Sequence, residues 1–284
     1  MKKFGFVALL SMVTLMEACS QPKLAWNNAE FLVMYQLDHY FDLSRDEGKV
    51  WRPRIEALVA RFQGEAGPEL VLFLQKSRNT LLAGLTEEKV ASLFREWDEL
   101  RVRHLSPLAA DAAEYLAGLD DANAAYLRKR FLNSQKKDEK VLALDDEEYA
   151  KNRASKARER VERFYGRIST AQAKTVGSLP GLTRQAQRDH IAQMQESQKS
   201  LLDILGRALP RDQIKNRLDQ WVQNPATMRT TERGRLLYTE ERRTLIKNIV
   251  AIDRLMSPDQ RNHFADKLDG WKKDLLDSLK EVKR

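Results

Sequence analysis

The chain has 284 residues, 32% of them charged, with only 12 glycines and 8 prolines. That length lets one or two domains bury a core, and so few turn-forming residues argue against a β-rich fold. The net charge is +8, or +7 once Lys2, Lys3 and Glu17 leave with the leader described below. Inside a cell such a balance would point to nucleic acid first. Outside the cytoplasm, anionic lipid, lipopolysaccharide or an acidic protein is the more natural partner, and nucleic acid is not expected.

Residues 1–18 read as an export signal. Lys2 and Lys3 form a basic start, Phe4 to Met16 are mostly apolar, and Ala18 is a small residue at the cut site. The apolar run is about 13 residues, short of the roughly 20 that span a bilayer. Cys19, the only cysteine, follows at once. An odd thiol in an exported protein calls for a use, and lipid attachment at its sulfur supplies one. Two other fates stay open: cleavage to a soluble periplasmic protein, and retention of the leader as an anchor. On the first reading, residues 19–23 form a lipidated N-terminus and short tether, and residues 24–284 a helical domain.

Past the leader, nearly every segment is rich in Ala, Leu, Glu, Lys, Arg and Gln, the good helix formers. Leu24 to Phe41 is apolar nearly all round, and the stretch Trp26 to Phe41 predicts a buried core helix. Ser44 with Glu47 forms a capping box that starts a helix toward Gln63. Pro53 should end, kink or restart it, Gly64 to Pro68 should break it, and Glu69 to Leu82 should form another. Thr86 opens an amphipathic helix with Val90, Leu93, Phe94, Trp97, Leu100 and His104 on one stripe. Ser106-Pro107 marks a stop and restart, and Asp120 and Asp145 begin further helices. Ile168 to Gln172 caps a short segment that ends near Gly177 to Gly181. Leu182 to Leu205 should be helical with Ile191, Met194, Leu201, Leu202 and Leu205 inward. Pro210 starts a piece that Pro225 breaks, Arg235 to Met256 follows, and Ser257 opens the last helix. Its stripe is Phe264, Leu268, Trp271, Leu275, Leu279 and Val282. The expected fold is all-α, a multi-helix bundle or irregular array of about ten to twelve helices, each most often 12 to 25 residues long. Gly64–Pro68 and Gly177–Leu182 are its weakest seams.

One module recurs: an apolar residue, then Ser, Thr or Asp, then Glu or Gln. Its best copies are Leu43–Glu47, Leu144–Glu148, Ile168–Gln172 and Met256–Gln260, with Leu85–Lys89 a partial one. Each is an ordinary helix start, with a cap, first-turn negative charge and often a hydrophobic staple.

Three resemblances accompany these residues. Leu15-Met16-Glu17-Ala18-Cys19 resembles the lipobox of bacterial lipoproteins, with Glu17 departing from the usual small or apolar residue. That resemblance implies cleavage before Cys19 and acylation of its sulfur, and Ser20 after it implies the outer membrane. Ile168-Ser169-Thr170-Ala171-Gln172 and Met256-Ser257-Pro258-Asp259-Gln260 resemble the Leu-Thr-Pro-x-Gln motifs of small helical periplasmic chaperones and stress proteins. Tyr35 to Ser44, an aromatic-rich helix followed by an Asp-Leu-Ser cap, resembles an uncharacterised family of helical lipoproteins in Gram-negative bacteria. That family brings no catalytic residues.

Chemistry is otherwise sparse. His39, His104, His190 and His263 lack metal-ligand spacing. Asp38, Asp42 and Asp46 recur at intervals of four beside His39, which suits a cation less well than it suits solvated helix-end carboxylates. Asp189-His190 has no nearby nucleophile, and neither a Gly-x-Ser-x-Gly elbow nor a Gly-rich phosphate loop occurs. No cofactor, metal or catalytic residue is expected. Basic runs lie at Arg128 to Arg130 with Lys136, Lys137 and Lys140, at Lys151 to Arg163, and at Arg229 to Lys247. Pairs such as Glu162 with Arg158 and Glu159 with Arg163 mark solvated helix faces. The expected partners are the membrane, through the N-terminal lipid, and an unknown envelope protein or anionic lipid.

Overall fold

A computed structural model of the chain describes residues 22–181, 183–207 and 209–282. The leader and Cys19 lie outside them. Among the described residues the regular structure is entirely helical, which bears out the all-α expectation. In chain order the helices are α1 (Pro22–Asn27), α2 (Ala29–Phe41), α3 (Arg45–Leu82), α4 (Glu87–Leu105), α5 (Ala109–Ala117) and α6 (Asp121–Leu142). They continue with α7 (Asp146–Tyr165), α8 (Thr170–Gly177), α9 (Arg184–Gly206), α10 (Arg211–Gln223), α11 (Glu232–Leu255) and α12 (Pro258–Val282). Short 3₁₀ turns at Ser106–Leu108 and Pro225–Met228 link neighbours.

Local side-chain chemistry sets most helix starts. Ser44, Asp120 and Ser169 each accept the N–H three residues on, while Glu47, Asn123 and Gln172 reach back to the capping residue's own N–H. Thr86, Asp145, Thr183 and Thr231 supply the forward half alone. Each such cap stabilises its helix by about 1 kcal/mol.

Three expectations are corrected. First, α3 runs unbroken for 38 residues, with Pro53 and Pro68 inside it. Tertiary packing overrides the local signals. Gly67 is buried, and a Cβ built there would lie 2.6 Å from the Leu279 side chain, so the glycine lets α12 approach closely. Higher up, Lys272 meets Gln75 and Asp269 meets Arg78, so α12 runs antiparallel along α3. The Gly64–Pro68 seam is therefore a packing site. Second, Trp26 to Phe41 is not one buried helix. It breaks at Asn28, and Phe31 is 61% and Tyr35 44% exposed, while Val33, Met34, Leu37, Tyr40 and Phe41 face the core. Third, the inward face of α9 is more polar than expected. Ile191 and Leu201 are buried, but so are Gln187, Gln193, Ser197, Gln198 and Ser200.

The core has two parts that share α3. One gathers α2, Ile55 and Val59 of α3, α5, α6, the C-terminal end of α9 and most of α10. The other gathers Phe62 to Leu81 of α3 with α4, α7, α8 and α12. At 1.5 Å per residue α3 is about 57 Å long, enough to span both.

Candidate functional site

Two of the four module copies meet. Ile168 and Met256, the apolar residues that lead them, are both buried in the second core part. Each following serine accepts the N–H of its glutamine: Gln172 N–H to Ser169 Oγ and Gln260 N–H to Ser257 Oγ, both at 3.2 Å. Each glutamine Oε1 accepts its serine's N–H, at 2.8 Å for Ser169 and 2.9 Å for Ser257. The two amides then face each other. Gln172 Nε2 donates to Gln260 Oε1 at 2.8 Å, and Gln260 Nε2 donates to Gln172 Oε1 at 3.2 Å. The second donor of each amide crosses to the other turn, Gln172 to the Leu255 carbonyl at 2.7 Å and Gln260 to the Arg167 carbonyl at 2.8 Å. Every donor of both amides is used, and each oxygen accepts twice. The start of α8 is thereby clasped to the start of α12 in a two-fold pattern.

The residues beneath the clasp extend this corner. Asp253 is 2% exposed and accepts from Arg261 Nε at 3.1 Å, while Arg261 also donates to the Asp253 carbonyl at 2.7 Å. Burial, followed by the Asp253 carboxylate, holds the Tyr165 hydroxyl above its ordinary pKa. The turn between α7 and α8 needs Gly166, whose φ is 73°, with the His263 ring 3.4 Å from where a Cβ would sit. The Arg158 guanidinium and the Ile168 N–H hold the Glu162 carboxyl below its ordinary range. This corner has the chemistry of a structural joint: neutral amides, and a buried carboxylate paired with a half-buried arginine.

The remaining sequence candidates are dispersed. His39 contacts Arg130, His104 is buried 3.3 Å from Glu69, and His190 lies 3.2 Å from Glu241. Asp42 ends α2 in the left-handed conformation at φ 56°, and Asp46 pairs with Lys49 at 2.8 Å. Among the described residues no group of three His, Cys, Asp or Glu is placed to hold a metal ion. A shallow groove of about 360 Å³ lies between α3 and α4, where Lys76 pairs with Glu96 and Arg103 with Glu69. Both pairs run across the groove from one helix to the other. In the Lys151–Arg163 run, Arg158 pairs with Glu162 at 3.0 Å. In the Arg229–Lys247 run, Arg243 pairs with Glu240 and Arg242 with Asp98, each at 2.5 Å.

Sequence reasoning found both halves of the clasp but not their meeting. It also read the α2 aromatics as core, whereas Phe31 and Tyr35 stack outward with ring centroids 6.4 Å apart. Among the described residues no helix is long and apolar enough to cross a membrane.

No curated protein and no solved structure matches the chain significantly. Residues 39–235, more than half of the chain, match a family of unknown function. The first half of the clasp falls inside that span, whereas Ser257 and Gln260, like Phe31 and Tyr35, fall outside it. The chain belongs to this family of unknown function, DUF6279.

Proposed function

We propose that the protein is a lipid-anchored, periplasm-facing helical binding or scaffold protein of the bacterial envelope, held at the outer membrane by Cys19 and without catalysis of its own. One observation carries the reading: a short basic-then-apolar leader ends at a lone cysteine, and the first described helix begins three residues later, at Pro22. A body that starts so close to its attachment point suits a protein working at the membrane surface. The resemblance of Ile168–Gln172 and Met256–Gln260 to periplasmic chaperone motifs supports a chaperone-like form of binding.

Two experiments test this. Metabolic labelling with a fatty-acid precursor should mark the wild-type chain and leave Cys19→Ala unmarked; equal labelling removes the anchor. An aggregation assay with an unfolded client should show suppression near equimolar protein, and no effect there removes the chaperone-like form.

A second reading is binding of anionic lipid or lipopolysaccharide through the basic helices. Arg128, Lys129, Lys136, Lys137 and Lys140 are all exposed on α6, which favours it. Such binding should weaken steeply as ionic strength rises.

A further inference from the structure

We infer that the outward aromatic face of α2, built on Phe31 and Tyr35, is a foot that rests in the head-group layer of a phospholipid membrane. This rests on the lipid-anchor reading above. Phe31 and Tyr35 stand one helical turn apart, and Leu24 on α1 is also exposed, at 56%. Three large apolar side chains thus stand in water on the first two helices, and covering them is favourable.

The outward direction of this face is fixed. The opposite side of α2 is committed to the core through Val33, Met34, Leu37 and Phe41. Arg52 of α3 pairs with Glu30 at 3.1 Å, and Gln63 of α3 donates to the Trp26 carbonyl at 2.5 Å. α1 and α2 are thus held rigidly on α3, and the aromatic pair cannot turn inward.

Its position relative to an anchor is also bounded. The three residue steps from Cys19 to Pro22 reach at most about 11 Å. The nine residues from Pro22 to Phe31 add about 14 Å at helical rise. A lipid on Cys19 therefore leaves Phe31 within about 25 Å of the anchor, close enough to reach the interfacial layer, which is roughly 5–8 Å thick on each side of the bilayer. Aromatic rings favour that layer, Tyr with its hydroxyl toward water.

Polarity along the helix sets the pose. The outward face reads Asn28, Phe31, Tyr35, then Asp38 and Asp42, all exposed. The N-terminal half suits the lipid, and the acidic half is kept away from an anionic surface.

The test uses the processed, acylated chain. Acylation consumes the Cys19 thiol, so Phe31→Cys carries the single free thiol for an environment-sensitive fluorophore. In vesicles of phosphatidylethanolamine and phosphatidylglycerol, the dye should brighten several-fold, shift to the blue and be quenched by brominated lipid, with little change at high salt. The same dye at Leu236→Cys, a position 61% exposed on α11, should stay water-like. Tyr35→Cys repeats the reading with Phe31 intact. With one label per chain, a water-like signal at both α2 positions overturns the foot and leaves the anchor standing. A shift that brominated lipid does not quench, and that grows with protein concentration, assigns the face to a second copy and likewise overturns it. Two labels per chain mean that Cys19 is free, and the anchor falls together with the inference.

Discussion

Gln172 and Gln260, 88 residues apart in sequence, hold each other by a reciprocal pair of amide hydrogen bonds. Each glutamine also completes its own capping box and bonds a carbonyl of the opposite turn. Two ordinary helix starts thereby become one joint between α8 and α12. Because α12 packs along α3, the joint closes the second core part at the end opposite Leu279.

Gln172→Glu separates the local cap from the clasp. Glutamate is the usual residue at this position of a capping box, so Ser169 N–H keeps its acceptor. The Leu255 carbonyl loses the Gln172 donor, Gln260 Oε1 loses one of its two donors, and a carboxylate faces an amide oxygen. A hydrogen bond is worth about 0.5–1.5 kcal/mol, so losing these two half-buried ones should lower stability by about 1–3 kcal/mol in urea unfolding. Gln260→Glu should cost a similar amount, and the double variant more than the sum at neutral pH, because it sets two carboxylates against each other. Wild-type stability in either single variant would show that the clasp carries no energy.

Pro53→Ala should stabilise the protein. Pro53 is exposed within a continuous α3 and has no N–H for the Lys49 carbonyl. Proline in a helix interior costs about 3 kcal/mol against alanine, part of which the surrounding fold absorbs, so a gain of about 1–3 kcal/mol is expected. A higher urea midpoint with an unchanged slope would register it. A loss of stability would mean that the proline shapes the path of α3.

These two sites mark where the sequence was legible and where it was not. Ser44, Thr86, Asp120, Asp145, Ser169 and Ser257 announce helix starts because a cap acts within four residues. Pro53 and Gly64–Pro68 mislead because the decisive partner of Gly67 is Leu279, far along the chain. The composition of α2 says that it is apolar, but which side faces outward depends on how α3 and α6 pack against it. Both halves of the clasp are visible as motifs, yet nothing local shows that they pair. Gln193 and Gln198 sit on helical positions that polarity alone assigns to solvent, and burial follows only from α9 lying against α6 and α11.

Glu196 should give stability an acid-sensitive component. Burial opposes its ionisation, but the Thr231 hydroxyl at 2.6 Å and the Thr231 N–H at 3.0 Å outweigh that and lower its pKa below the ordinary 4.5. A carboxyl with a lowered folded value contributes stability above its unfolded value and loses it as pH falls through the folded one. Unfolding midpoints should therefore fall below about pH 4.5 more steeply in the wild type than in Glu196→Gln. Gly234→Ala should mimic that loss at neutral pH, because its Cβ would come 2.5 Å from the Glu196 carboxylate. Parallel acid limbs in wild type and Glu196→Gln would remove this role.

Gln193→Met tests the polar interior of α9. Gln193 is 1% exposed, and neither its amide oxygen nor its amide nitrogen has a hydrogen-bond partner among the described residues. Neighbours nearby are satisfied: Gln135 donates to Gln198 at 2.7 Å, and Ser200 to the Met228 carbonyl at 2.8 Å. A buried amide without partners carries a desolvation cost of about 1–3 kcal/mol that a thioether of similar length does not. The substitution should raise stability by about 1–2 kcal/mol, within that range, and leave the helical circular dichroism unchanged. Gln198→Met, which breaks the bond to Gln135, should do the opposite. If both variants lose stability alike, the Gln193 amide is bonded in solution, and the interior of α9 is a polar network rather than a strained one.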